Sequence, residues 1–179
     1  MPRTIRVKIY KFSELTEHNQ KKVLEKYYDI NVDYNWWEST YDDAEQIGLK
    51  INEFSVDFDR PKWAKGEFQL SPHEVAANII RDHGNECETY KTTQTFLDTV
   101  NEIQGKYEEL EGEDYENEMI EIEDEFLNFL LNDYVDILIK EYEYLTTDKQ
   151  IIETIEANDI EFLEDGTVFN VIKFGGTKK

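Results

Sequence analysis

The sequence predicts an α+β fold: a small, mainly antiparallel sheet packed with helices, plus a long acidic helical hairpin. Three observations predict it. Ile5, Val7 and Ile9 alternate with Arg6, Lys8 and Tyr10 at the period of a half-buried strand. Apolar residues from Phe96 to Leu110 and again from Met119 to Tyr142 recur at three- and four-residue steps, the spacing of two long helices. Near the C-terminus, Glu164-Asp165-Gly166 separates two short β-like runs, and Asp-Gly is a hairpin turn signal.

The elements follow in order. After the opening strand, Ser13 and Thr16 offer helix N-caps, and Val23, Leu24, Tyr27 and Tyr28 behind Thr16 share the face expected to pack on the sheet. Trp36, Trp37, Tyr41, Ala44 and Ile47 predict a second helix ended by Gly48, the residue that best tolerates a left-handed C-cap. Leu49 to Phe58 and Trp63 to Leu70 read as a hairpin interrupted by Arg60-Pro61, with a bulge expected between Asn52 and Phe54, where alternation fails. Ser71-Pro72-His73-Glu74 combines a capping Ser, a Pro preset for the first helical position and a Glu that closes a capping box, so a helix begins at Pro72 and ends near His83-Gly84. A long helix is expected from about Thr92 and another from about Tyr115 to Tyr144, with a break near Glu111-Gly112-Glu113. Thr147 with Gln150 opens a short helix that Asn158 ends, and Ile160–Leu163 and Thr167–Ile172 form the last hairpin.

No repeat and no Pro- or Ser-rich linker divides the chain, so a single domain over residues 1–179 is expected. Its portions are strands and helices at 1–90, the helical hairpin at 91–146, and a short helix with the C-terminal hairpin at 147–174. A hydrophobic content of 39% with 13% aromatic residues is enough to offset chain entropy, which argues against disorder. The single cysteine, Cys87, excludes an internal disulfide. With no signal-like or membrane-spanning stretch, it points to a reducing cytoplasm and to no membrane partner. The net charge of −22 is unevenly placed: residues 1–100 hold 18 acids and 13 bases, whereas residues 101–166 hold 23 acids against Lys106, Lys140 and Lys149. Such a half repels nucleic acid, so direct DNA or RNA binding is not expected, and a basic protein surface is its natural counterpart.

Signatures of common chemistry are missing. His18, His73 and His83 show no zinc spacing, and there is no phosphate-binding glycine loop, nucleophile elbow or dinucleotide fingerprint. No catalytic residue, metal or cofactor is therefore assigned. Asp82, His83 and Cys87 lie close enough in sequence for a ligand cluster or an imidazole-activated thiol; the plainer reading is a helix end with His83 set against its dipole. Asp42-Asp43 and Glu123-Asp124-Glu125 read as solvated faces. Trp36, Trp37 and Tyr41 mix core-filling and stacking surfaces, so a ligand site for a nucleotide-like molecule and plain core packing both stay open. The carboxylates Glu108, Glu109, Glu111, Glu113, Asp114, Glu116 and Glu118 exceed what solubility asks and would approximate a line of phosphates to a cationic partner.

Phe12-Ser13-Glu14-Leu15, the segment Asp33 to Tyr41, and His83-Gly84-Asn85-Glu86-Cys87-Glu88-Thr89-Tyr90 resemble proteins encoded by phages of gut bacteria. The chain resembles, in particular, anti-CRISPR inhibitors of type II RNA-guided nucleases. That resemblance implies a non-catalytic inhibitor acting in the bacterial cytoplasm on a basic nucleic-acid-binding protein. It assigns no contact residue by position. A nucleotide-sequestering protein and a small enzyme using Asp82, His83 or Cys87 remain the alternatives, and the long aromatic-rich helix leaves room for a homodimer.

Overall fold

The computed structural model describes residues 6–57, 59–107 and 113–169, and all their side chains except those of 106, 107, 113 and 114. Among the described residues there are six α-helices and one antiparallel strand pair, an α+β fold. Those within Met1–Trp36 and Tyr142–Lys179 gather into one compact unit, and those within Trp37–Glu141 into a second.

In the first unit a short 3-10 helix, Phe12–Glu14, precedes α1, Glu17–Lys26, whose N-cap Thr16 accepts from the Asn19 amide. The unit also contains α6, Asp148–Ala157, capped by the Thr147 side chain accepting from the Gln150 amide and ended at Asn158. Their apolar faces meet around Phe12, Leu15, Val23, Ile151, Ile155 and Phe162, so most of this core is helix against helix. Asn31 is buried but satisfied: its amide donates to the Leu145 carbonyl at 2.9 Å, and its carbonyl accepts from Thr154 Oγ1 at 2.6 Å.

Among the described residues, the opening strand does not form. Residues 6–9 are not in a strand, and Val7 and Ile9 are exposed at 53% and 42%. Among the described residues, pairing here is limited to single antiparallel bridges, Tyr10 to Phe162 and Phe162 to Val168. Alternation makes a strand only when a partner edge runs alongside, and here the ladder reaches one residue. Ile5 lies outside the described residues. Tyr28, expected on the packed face of α1, lies beyond that helix and is 43% exposed. The turn before Val168 does form: the Leu163 amide donates to Thr167 O at 2.7 Å, and Gly166 takes φ 86°. Residues 170–172 of the expected last strand lie outside the described residues.

In the second unit α2, Glu38–Ile47, ends at Gly48 with φ 92°, a left-handed C-cap that glycine alone adopts without strain. The chain then enters β1, Leu49–Ser55, paired with β2, Trp63–Phe68. Register shifts by one residue between Ile51 and Glu53, the expected bulge. Trp36 is outside α2 and Trp37 is its N-cap, so the two indoles are not helical neighbours as their spacing suggested.

Ser71 opens α3, Pro72–Asp82, in a reciprocal capping box: its Oγ accepts from the Glu74 amide, and its own amide donates to the Glu74 carboxylate at 3.1 Å. Helix α4, Glu88–Tyr107, starts four residues before the expected Thr92. The cause is that Thr89 and Thr93 take core positions at 2% and 0% exposure, with Thr93 Oγ1 donating back to the Thr89 carbonyl at 2.7 Å. Helix α5 runs Glu113–Leu145. Phe96 stacks on Phe126 at 4.1 Å, while Thr92, a turn earlier on α4, donates to Asp133, two turns later on α5; the helices are therefore antiparallel. Ile47, Leu49, Ile51, Val75, Ile79, Phe96, Phe126, Leu130 and Tyr134 share this unit's core.

Candidate functional site

Helix α5 is where charge accumulates. Residues 116–125 contain Glu116, Glu118, Glu121, Glu123, Asp124 and Glu125 and no base. At a helical rise of about 1.5 Å this is about one carboxylate per 2.5 Å of axis, against about one charge per 1.7 Å for duplex DNA. Glu116, Glu121, Asp124 and Glu125 are exposed, and Glu118 and Glu123 half-buried. At about 100° per residue they spread over about 220° of arc, so they form a broad band around the outer side of the helix, and not the single file expected. Among the described residues, no carboxylate from Glu116 to Glu143 forms an ion pair; the pairs present lie elsewhere, as in Lys65–Glu53 and Lys91–Glu88. Of the other carboxylates expected on this surface, Glu108, Glu109 and Glu111 lie outside the described residues. Glu113 and Asp114 lie in the first turn of α5, but their side chains are not described.

A second locus is a cleft of about 430 Å³ whose lining includes Asp82, His83 and Cys87 together with Asp43 and Asp133. The sequence-adjacent trio is brought to one place, but each member is engaged differently. Asp82 is held by the Arg81 guanidinium through contacts of 2.8 and 2.6 Å, which keep its carboxyl below the usual range. His83 caps α3; its Nδ1 lies 2.7 Å from Thr89 Oγ1 and its Nε2 3.7 Å from Asp43 Oδ2. Cys87 is exposed, and among the described residues no hydrogen bond joins it to His83.

The group behind His83 has no signature in the sequence. Asp43, read as part of a solvated face, accepts from the Tyr134 hydroxyl at 2.8 Å across a separation of 91 residues. Burial first, and then the Asp43 carboxylate, pushes the Tyr134 phenol far above its usual range, so it remains a donor. Tyr134, Asp43, His83 and Thr89 thus form a polar chain binding α2, α3, α4 and α5 together. Among the described residues, no group of three His, Cys, Asp or Glu side chains is arranged to hold a metal ion.

Asp133 lines the same cleft. Burial raises its pKa, the Thr92 hydroxyl opposes that, and the Glu88 and Asp136 charges add to it. An acid whose folded pKa is raised gives stability that is present below its unfolded pKa and lost as pH rises through the folded value. The carboxylate is therefore a burden at neutral pH. Asp133→Asn is expected to raise stability at pH 7 by up to about 1 kcal/mol, with the gain closing below about pH 4, where aspartate is itself neutral. Urea unfolding at the two pH values checks both halves.

Trp36, Trp37 and Tyr41 each take part in a ring contact, while Tyr34 of the same segment is exposed. Trp36 meets Tyr142 edge-on at 5.6 Å in the first unit; Trp37 and Tyr41 both meet Phe54, at 5.6 and 6.0 Å, in the second. Among the described residues no helix is long and apolar enough to cross a membrane. No protein-family model, curated protein or solved structure matches this chain.

Proposed function

We propose that the chain is a non-catalytic inhibitor that uses the carboxylate band of α5 to engage a basic, nucleic-acid-binding protein, and that this partner is a type II RNA-guided nuclease. The observation that carries the reading is the density of carboxylates over residues 116–125, about two thirds that of a nucleic-acid duplex and without an ion pair among the described residues. A positive channel that evolved to hold phosphates attracts such a surface at long range and is then denied to guide or target. The choice of a nuclease as partner comes from the sequence resemblance.

The test is a reconstituted cleavage reaction. Adding the purified protein to the nuclease before guide or target is expected to suppress cleavage in proportion to dose. The protein alone should leave guide and target intact. Undiminished cleavage at large molar excess of protein contradicts the proposal.

A further inference from the structure

A trough of about 220 Å³ lies between α4 and α5. One wall is the threonine row Thr92, Thr95 and Thr99; the other is Ile122, Glu125 and Phe129, with Phe96 and Phe126 below. The wall of threonines is less polar than its composition. Thr95 donates to Lys91 O at 3.1 Å, Thr99 to Thr95 O at 2.8 Å, and Thr92 to the Asp133 carboxylate at 2.7 Å. Their hydroxyls are consumed within the unit, which leaves methyl groups as the contact surface. Phe129, at 57% exposure, is the largest uncovered apolar group beside them.

The edges are acidic. Thr92, Thr95 and Thr99 continue at three- and four-residue steps to Glu88, which Lys91 already pairs, and to Glu102 on α4. Ile122 and Phe129 continue at the same steps to Glu118, Glu125 and Asp136 on α5. Two antiparallel helices with apolar stripes at this spacing make the seat that a third helix fills in a bundle. A second copy of the chain is a poor occupant, because it would bring its own carboxylates against these.

We infer that this trough is the docking seat for a basic amphipathic helix of the partner, which lays an apolar side chain against Phe129 and the threonine row while its lysines or arginines meet Glu118, Glu125 and Asp136. This rests on the cationic partner of the preceding section and adds the element it presents. Charge would bring the two together, and the trough would fix where the helix sits.

The probe is a synthetic peptide with leucines at heptad a and d positions and lysines elsewhere, beside a scrambled peptide of the same composition, each titrated into the full chain by fluorescence anisotropy. The patterned peptide is expected to bind about tenfold more tightly than the scramble. Phe129→Ala on one wall and Thr95→Lys on the other, both at exposed positions and checked for retained helicity, should each remove that margin. Equal binding of the two peptides, or a margin that neither variant alters, overturns the seat. Sedimentation showing a dimer that Phe129→Ala dissolves also overturns it, since the occupant is then a second copy. The two readings fail separately: a wrong nuclease leaves the peptide margin intact, whereas a wrong seat leaves nuclease inhibition untouched by Phe129→Ala.

Discussion

Replacing Phe126 by alanine is expected to lower the stability of the second unit by about 3–5 kcal/mol. Phe126 is 2% exposed, stacks on Phe96 with an interplanar angle of 6°, and meets Phe68 at 5.6 Å. Its removal opens a cavity where α5, α4 and β2 converge, and the stacked partner cannot follow without leaving its own seat. Phe129, one turn on, is the control. Its exposure of 57% puts Phe129→Ala within about 0.5 kcal/mol of the parent. Urea unfolding of the two variants side by side settles which face of α5 is inward. Equal losses would mean that the helix does not pack through the Phe126 face.

The second large effect is on binding. Neutralising Glu116, Glu121, Asp124 and Glu125, by Glu→Gln and Asp→Asn, leaves shape nearly unchanged and removes the exposed part of the band. Each exposed charge contributes about 0.2–1 kcal/mol, so together they are expected to weaken association with the nuclease at low salt by about a hundredfold. Stability should hold or rise, because none of the four is in an ion pair among the described residues and each repels its neighbours on a chain of charge −22. A variant that unfolds more readily than the parent would show that these carboxylates hold structure and are not reserved for a partner.

Local chemistry made much of this fold legible. The capping box at Ser71, the left-handed Gly48, the bulge after Ile51 and the Thr147 cap each depend on residues a few positions apart, and each stands where the sequence placed it. What depended on distant partners was hidden. The alternation of Val7 and Ile9 is real, but among the described residues its strand pairing is confined to the single bridge at Tyr10. The start of α4 was missed because threonines fill its first core positions, and hydropathy does not count a hydroxyl that bonds its own helix. The Asp43–Tyr134 pair joins α2 to α5 with no sequence signature of its own. The two compact units were equally hidden, since one is assembled from both ends of the chain and no linker composition marks it. For the trough there was a signal: Phe129 falls off the apolar stripe of Phe126, Leu130 and Tyr134, and a large apolar residue off the core face asks what else covers it. The acidic surface was anticipated at residues 108–118, whereas the carboxylates the structure describes most fully continue to Glu125, in a stretch first read as merely solvated.

The most direct measurement is the dissociation constant of the protein with guide-free nuclease across a salt series, run for the parent and for the neutralised variant. The account predicts that the parent weakens steeply as ions screen the band, that the variant follows a shallower line, and that the two converge at high salt. A parent affinity that does not change with salt, or parallel lines for the two proteins, would contradict it.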